Sequence, residues 1–585
     1  MSENEESNIV KEEMVNSTPE GELPKSSSLE TGQKSGKKTL NIILGILFIL
    51  PALIAVLVAF IIPSIRTFIL SFQDASYFTE PVYVGMQNYQ QIFNLQPFNQ
   101  AIGFTLLITL VRVLAILFPP LFLAVGAASV KPGLQKGIRI ASTIPWMLYS
   151  PLALAITWMM LVNPSFGLGS QIINLSNPDA ARWIVLAMDG LSYFGLSCGI
   201  GITVYLAVLK GSNSNEDQRK PIGAMVVTAI ILVLGTVALS LQSGQAALLL
   251  TNGGALYSTA TLSFFILNVA FGRMQMGLSA AMASPALLVV LLIGTGLGVL
   301  MVVTRFQIRL LPKEQEPVAM TKGIRLTGII LTILVGLGLI FSLLPFIAKW
   351  VPLFKDPMGF FGSVNMISGQ PAFWKTLLNT WSVPLAIVLV VQFPITILAA
   401  IGIGALRPLG KASEWLLLLF APWMLISTIL LIPGYTRMLF NLDLIDSYFG
   451  LIIPYLINIP LLFILTFFYR GQAMVHTEKG DTPKIFRDLI VPSLPLIVIG
   501  LVFSIMVIQQ DTIWSSAVLS SPDHWFLPVF FRRFMISNMV SPFAQAEMLT
   551  LLRIPAFIAG FLLLGAYQLF FFPRLGLQIR SVKKG

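Results

Sequence analysis

Residues 39–64 read TLNIILGILFILPALIAVLVAFIIPS, a run that contains no Asp, Glu, Lys or Arg. A helix needs about 20 predominantly apolar residues to cross a bilayer. Residues 1–38 before it hold eight acidic residues and five lysines, and this segment is too long and too acidic for the n-region of a cleaved signal peptide. We therefore expect a disordered cytoplasmic head over 1–38 and a first transmembrane helix that is retained.

The composition extends this prediction to the rest of the chain. Its 585 residues are 56% hydrophobic and 11% charged, whereas soluble chains carry about 25% charged residues. The apolar runs are continuous, whereas barrel strands alternate. Such runs recur near 39–64, 101–128, 140–162, 190–209, 222–242, 277–304, 326–348, 377–405, 413–436, 450–469, 489–510 and 549–572. They predict an all-α polytopic membrane protein with twelve transmembrane helices.

Residues suited to catalysis or to metal binding are scarce. Cys198 is the single cysteine, and the two histidines, His476 and His524, lie far apart in the sequence. No GxxxxGK[ST] run is present, so the chain has no P-loop with which to hydrolyse ATP. We expect no enzyme activity, no catalytic residues, no metal site and no cofactor.

The basic residues predict the orientation in the membrane. The formal net charge is +11, and 26 of the 37 lysines and arginines fall on the inside if the N-terminus is cytoplasmic, against eight on the outside. Such an asymmetry is the positive-inside pattern of a multi-pass protein. It predicts that both termini lie in the cytoplasm and that the chain resides in the cell (inner or cytoplasmic) membrane, in contact with the lipid bilayer. The basic excess therefore needs no nucleic acid to explain it.

A six-residue motif occurs twice. Residues 145–150 read PWMLYS and residues 422–427 read PWMLIS, and each follows a short basic loop. We interpret this repeat as a duplication with both copies in the same orientation, a pattern that transporters often use. The predicted units are a first six-helix half over 39–304, a basic cytoplasmic linker over 305–325 and a second six-helix half over 326–585.

Other motifs carry a family resemblance. Residues 250–254 read LTNGG, with Ser258-Thr259 and Ala270-Phe271 after them, and residues 444–452 read LIDSYFGLI. In their order and spacing these elements resemble the inner-membrane permeases of binding-protein-dependent ABC importers, specifically the maltose-type sugar permease pair fused into one chain. The resemblance covers nearly everything after residue 40.

This resemblance implies a function and partners. It implies a permease that translocates a small solute, a carbohydrate by the chemistry of the family, delivered by an extracytoplasmic solute-binding protein. It also implies separate ABC ATPase subunits that bind the ATP. The binding protein is expected at the outward loops near 73–100, 243–276 and 511–545, where Gly253, Gly254 and Trp514 are the candidate facing residues.

The cytoplasmic coupling loops depart from the family pattern. Residues 480–492 read GDTPKIFRDLIVP and keep Gly480, Phe486 and Pro492, but the Glu-Ala-Ala of the family is missing upstream. Docking on the ATPase would use Phe486 with its basic neighbours Lys484 and Arg487, although these two charges also serve topology. Residues 211–221 of the first half show no such motif. The ATPase is thus expected to dock mainly on the second half, unless ordinary coupling has been lost.

Three residues within the predicted spans are candidates for the solute pathway. Trp146 and Trp423, from the repeated motif, could stack on a sugar, and packing or an interfacial anchor is the alternative. Arg112 lies in the middle of the second span, where a charge costs about 2.5–3.5 kcal/mol on insertion scales, so it should face protein or water. Snorkelling of the side chain or a structural ion pair explains it equally well.

Two other classes of function stay open on the sequence. A secondary transporter would need carboxylates in the membrane, but we expect these only in loops and at span ends. A non-transporting scaffold or regulator derived from a permease would explain the degenerate coupling loops.

Overall fold

The structure is a computed structural model that describes residues 27–76, 79–148, 154–155, 157–158, 176–211, 222–311, 321–348, 357–478, 483–537, 548, 552 and 557–579. Within these ranges nine helices are long and apolar enough to cross a membrane, or ten if one bent pair counts as a single span. They are Thr39–Leu70, Gln96–Ala128, Pro178–Gly211, Ile222–Leu241, Met276–Val303, Lys322–Phe346, Phe373–Leu406, Ile485–Gln510 and Phe557–Arg574, with Tyr448–Tyr455 plus Ile459–His476 as the bent pair. The chain is an all-α polytopic membrane protein.

Shorter helices connect these spans. They cover Gln87–Asn94, Pro132–Leu148, Gln245–Thr251, Leu262–Leu267, Pro357–Ser368, Thr428–Asn441, Thr512–Val518 and Leu527–Ser537. The helix that contains the first span begins at Ser27, inside the segment for which the sequence predicts disorder. Residues 1–26 of that segment lie outside the described ranges.

The two predicted spans without a matching long helix are those that carry the repeated motif. The described part of 140–162 is helical over Pro132–Leu148. The segment 413–436 is broken into 3₁₀ turns over Gly410–Leu419 and Ala421–Trp423, followed by an α-helix over Thr428–Asn441. Pro422 contributes to this break because it has no backbone N–H to donate within a helix. The count of twelve continuous helices therefore stays a prediction.

Helices from the two predicted halves pack across each other in a reciprocal manner. The Ser27–Val56 helix contacts Phe393–Ala400, and a Cβ added at Gly45 would lie 3.1 Å from the ring of Pro408. Conversely, Lys322–Ala348 contacts Pro119–Ala128, where a Cβ at Gly126 would overlap Thr332. The first helix of each predicted half thus lies against the second helix of the other half, with small residues at the contacts, as is usual where membrane helices approach closely.

A two-stranded sheet repeats this exchange. Gln307–Leu310 pairs antiparallel with Leu575–Gln578, in a register that joins Gln307 to Gln578 and Leu310 to Leu575. The strand Gln307–Leu310 lies at the start of the predicted linker 305–325. This part of the linker is therefore a paired β-strand.

The two strands of this sheet pack on helices of different predicted halves. The strand Leu575–Gln578 lies on the end of the Pro178–Gly211 helix, and the strand Gln307–Leu310 lies on the Ile459–Glu478 helix. At the contacts, a Cβ on Gly211 would overlap the carbonyl oxygen of Leu577, and one on Gly471 would overlap that of Ile308. The pairs Lys210-Gly211 and Arg470-Gly471 thus occupy corresponding places, a second internal repeat that the sequence analysis missed.

A small hairpin of Gln73–Asp74 with Val82–Tyr83 lies at the opposite, predicted outer, end of the molecule. There Ser76 bridges to Gln275, directly before the Met276–Val303 helix. That helix is central to the core: it packs against Ile62–Leu70, Ile222–Leu241 and Thr428–Asn441. Because it contacts helices of both predicted halves, it shapes the space between them.

Candidate functional site

The LTNGG segment forms a tight reversal of the chain. The Gln245–Thr251 helix ends at Asn252, which has a left-handed backbone with φ 46°, and φ is 92° at Gly253 and 70° at Gly254. Glycine adopts such angles without the steric cost that a Cβ brings. A Cβ at Gly253 would also lie 2.7 Å from the ring of Phe264. The reversal is closed by the Thr259 amide, which donates to the Gly253 carbonyl at 3.1 Å.

This reversal forms one wall of a large cavity, of about 2360 Å³ including the part open to solvent. The other walls come from the helical segment Leu262–Gly272 of the predicted first half and from Thr428–Asn441, Thr512–Val518 and Leu527–Ser537 of the predicted second half. The lining combines neutral hydrogen-bonding groups with aromatic rings, among them Asn252, Asn268, Thr436, Ser516, Tyr257, Phe264, Phe271 and Phe440. We name this space the outer cavity. Met274 lines it, and the next residue, Gln275, pairs with Ser76 in the predicted outward loop near 73–100.

The charged lining residues of the outer cavity are Arg532 and Arg533. The Arg533 guanidinium lies 5.5 Å from the centre of the Trp525 ring. Burial, and then the adjacent charge of Arg533, lower the pKa of Arg532. Both arginines lie in the predicted outward segment 511–545, so their charge is presented on the outer side of the predicted membrane.

The chain next to the outer cavity is held by a set of polar contacts. Asp446 accepts hydrogen bonds from the amides of Ser520 and Ser521, each at 2.9 Å, and contacts His524 Nδ1 at 3.2 Å. Partial burial works to raise the pKa of Asp446, but these hydrogen bonds outweigh it and lower the pKa. These contacts anchor residues 520–524 and therefore the approach to the Leu527–Ser537 helix.

Trp514, predicted to face the binding protein, is instead fully buried. Its indole Nε1 donates to the Leu451 carbonyl at 3.1 Å, and its ring centre lies 4.9 Å from that of Tyr435. Gly253 is buried as well, while Gly254 is half-buried. The exposed groups of the LTNGG region are Asn252, Leu256 and Tyr257.

Arg112 is a member of a buried ion pair. Its Nε donates to Asp189 Oδ2 at 2.7 Å, its Nη2 donates to Asp189 Oδ1, and its Nη1 donates to Ser243 Oγ at 2.6 Å. The guanidinium also lies 5.1 Å from the centre of the Tyr193 ring. Of the explanations left open by the sequence, this geometry matches the structural ion pair. Arg112 does not line the outer cavity.

Asp189 corrects the expectation that carboxylates lie only in loops and at span ends. The sequence pattern places the fourth span at 190–209, but the helix runs from Pro178 to Gly211 and includes Asp189. Pro178 at the helix start, with Asp179 in its first turn, is the signal that could have revealed the longer helix. Arg112 neutralises the charge of Asp189, so the geometry favours a structural role for Asp189 over a role in a proton relay.

The two tryptophans of the repeated motif occupy separate environments. Trp146 donates from Nε1 to the Leu196 carbonyl at 2.8 Å and meets the ring of Phe503 edge-on at 5.0 Å. It lines an apolar pocket of about 810 Å³, including the part open to solvent, with Trp381 and Phe503. Trp423 donates to Ser64 Oγ at 3.2 Å. Neither tryptophan lines the outer cavity, and the structure does not bring them together with Arg112.

Gln242 connects the two predicted halves beside the second copy of the motif. Its Nε2 donates to the Leu425 carbonyl at 2.9 Å, and its Oε1 accepts from the Ser427 amide at 2.6 Å. The chain there leaves the 3₁₀ turn Ala421–Trp423 and has not yet entered the Thr428–Asn441 helix, so its backbone groups need side-chain partners. The sequence analysis missed Gln242, because nothing local marks a partner 183 residues away.

The described part of the predicted coupling loop presents an apolar side chain to the surface. Phe486 is 72% exposed, and Lys484 and Arg487 are exposed beside it. Asp488 stabilises the turn, since its Oδ2 accepts from the Lys484 amide at 2.9 Å, and Pro492 lies in the first turn of the Val491–Gln510 helix. Gly480 and residues 212–221 of the first-half loop lie outside the described ranges.

Comparisons with known proteins agree with one another on the class of protein. No family model matches the sequence. The Probable ABC transporter permease protein YesP of Bacillus subtilis (strain 168) is 26% identical over 277 residues, which make up 43% of this chain and 87% of that protein. The Trehalose/maltose transport system permease protein MalF of Thermococcus litoralis is 29% identical over 145 residues, 24% of this chain and 48% of that protein.

A solved structure was also compared. It is a chain of a bacterial alginate ABC transporter in complex with an alginate pentasaccharide-bound periplasmic protein. It is similar with a TM-score of 0.34 and 20% identity, over 42% of this chain and 90% of that chain. Both sequence relatives are permeases of ABC transporters, and the chain is similar to one of them over most of that permease's length.

Proposed function

We propose that this chain is the membrane permease of an ABC importer for a small carbohydrate. The observation that carries the proposal is its similarity to two ABC permeases, one of which belongs to a trehalose/maltose transport system. Neutral hydrogen-bonding groups and aromatic rings line the outer cavity, a combination suited to the hydroxyl groups and the apolar faces of sugars. The chain would act as a pathway, with ATP bound by separate ATPase subunits.

We further propose that two permease halves are fused in this chain, over 39–304 and 326–585, with the segment 305–325 between them. The YesP match supports this, because less than half of the chain spans 87% of that permease. The reciprocal helix contacts and the exchanged strands support it as well. In this arrangement the outer cavity lies between the halves, where transporters built from repeats place the substrate.

The partners follow from this arrangement. An extracytoplasmic binding protein would deliver the solute to the LTNGG segment around Gly253 and Gly254 and to the loop that Asp446 anchors, with both termini in the cytoplasm of a cell-membrane protein. Trp514, which is buried, would pack beneath this surface and would not contact the binding protein. An ATPase would dock on Phe486, Lys484 and Arg487, supported by their exposure, with Gly480 and Pro492 flanking the contact.

The test is affinity purification of the full chain from membranes of its own host, followed by identification of what copurifies. We expect an ABC ATPase in detergent extracts, and an extracytoplasmic binding protein when mild cross-linking precedes extraction. Reconstitution of these components should give ATP-dependent uptake of a carbohydrate. Copurification of neither partner would contradict the proposal. Uptake that persists without ATP and collapses with an ionophore would favour a secondary transporter.

A further inference from the structure

The outer cavity has an electrostatic asymmetry that a neutral sugar does not require. Arg532 is half-buried and Arg533 is exposed, and both line the cavity. No Asp or Glu is among the described residues that line it. Two adjacent positive charges in one partly enclosed space repel each other, and the low local dielectric strengthens any attraction to a negative group. The cavity therefore attracts anions.

Three described carboxylates of the predicted outer side are engaged elsewhere. Asp446 is bound to two amides and to His524, Asp523 pairs with Lys375 at 2.8 Å, and Glu80 pairs with Arg437 at 3.4 Å. Within the described residues no carboxylate forms a salt bridge with Arg532 or Arg533. The Trp525 ring lies beside Arg533, an arrangement that orients a guanidinium without neutralising it.

The rest of the wall accepts the remainder of such a ligand. Asn252, Asn268 and Ser516 present neutral donors and acceptors, and Tyr257 and Phe271 present rings. An arginine guanidinium binds a carboxylate or a phosphate through two parallel hydrogen bonds. The same cavity thus combines sites for hydroxyl groups, for apolar sugar faces and for an acidic group.

We propose that the transported solute is an acidic carbohydrate, whose carboxylate or phosphate binds Arg532 and Arg533 as the sugar enters the outer cavity. This inference rests on the proposed import function and names its substrate class. The two arginines are specificity residues: they select for charge at entry, while the neutral walls accommodate the sugar rings.

The experiment measures uptake into host cells that lack the chain or that carry it on a plasmid. Two labelled panels are supplied: acidic sugars, with trigalacturonate, a sialic acid and a hexose phosphate, and neutral counterparts that include galactotriose. We expect the deletion to abolish uptake of at least one acidic sugar. Loss confined to neutral sugars would overturn this inference and leave the import function intact. No loss in either panel would overturn both.

Variants then test the arginines themselves. R532Q/R533Q should lower uptake of the acidic sugar about tenfold or more, the value of one charge-assisted hydrogen bond or more, and change uptake of any neutral sugar less than about twofold. R532K/R533K, which keeps the charge, should restore part of the uptake. The control is R182Q, since Arg182 is an exposed arginine of the same predicted outer side that does not line the cavity.

Equal loss of acidic and neutral uptake in R532Q/R533Q, at unchanged membrane abundance, would overturn the inference. That outcome would indicate that the arginines bind lipid headgroups or stabilise the helix. A shift of the acidic-to-neutral uptake ratio is a readout that a merely structural role would not produce.

Discussion

Arg112 and Asp189 stand 77 residues apart in the sequence, and two hydrogen bonds join their side chains between the Gln96–Leu117 and Pro178–Gly211 helices. The Arg112 side chain is 10% exposed and that of Asp189 is 13% exposed. In such a setting neither charge has water as an alternative partner. The pair therefore determines how the second and fourth predicted spans of the first half align.

Removal of one member of this pair should be far more damaging than removal of both. Breaking a buried ion pair typically costs about 3–5 kcal/mol, whereas apolar replacement of both partners is often neutral. We expect Arg112→Leu and Asp189→Leu each to lower the thermal midpoint of the detergent-solubilised protein sharply. The R112L/D189L double variant should recover most of that loss. Additive losses in the double variant would contradict a coupled pair.

Gln242 offers a test of contact between the halves. Gln242→Leu removes the partners of the Leu425 carbonyl and the Ser427 amide at a break between two helices. Leaving buried backbone groups without partners costs about 1–3 kcal/mol. We expect reduced thermal stability together with reduced ATP-dependent uptake. Gln91→Leu serves as the control, because Gln91 is an exposed glutamine on the Gln87–Asn94 helix, and it should leave both quantities unchanged.

The exchanged strands predict a paired glycine effect. An alanine at Gly211 would force its Cβ onto the strand carbonyl of Leu577, and one at Gly471 would force its Cβ onto that of Ile308. Overpacking of this kind typically costs about 1–3 kcal/mol. Each substitution should therefore lower the thermal midpoint. Gly235→Ala is the matched control, because nothing lies within 4 Å of its added Cβ, and it should leave stability equal or raise it. Similar values for all three variants would argue against close strand packing.

The exposed Phe486 predicts the site of energy coupling. Phe486→Asp should abolish the stimulation of ATP hydrolysis by loaded binding protein in proteoliposomes, since a charge cannot enter an apolar groove on the ATPase without a large desolvation cost. Folding should be unaffected, because the side chain is 72% exposed. Leu134→Asp, at a 60% exposed leucine next to the first basic loop, is the control and should retain stimulation. Normal stimulation in the Phe486 variant would place the coupling contact elsewhere.

Local patterns in the chain predicted a large part of this architecture. Apolar runs of membrane length indicated ten of the spans, because a bilayer demands a continuous apolar surface that is visible in the composition of each segment alone. The order of short motifs pointed to the permease class, and the similarity to YesP and MalF confirms it. Pro422 lies at the point where the second copy of the motif leaves helical geometry.

What the sequence by itself determined, then, was that this chain is a multi-pass membrane protein and that it resembles permeases of ABC transporters. Only the tertiary structure decided which residues meet: Arg112 with Asp189, Gln242 with the backbone of the other half, and the two glycines with strands that follow distant helices. It also buried Trp514 and brought Arg532 and Arg533 into the outer cavity. The reason is physical. Hydrophobicity is a property of each segment, whereas an ion pair, a close backbone approach or a cavity wall exists only between segments that packing brings together.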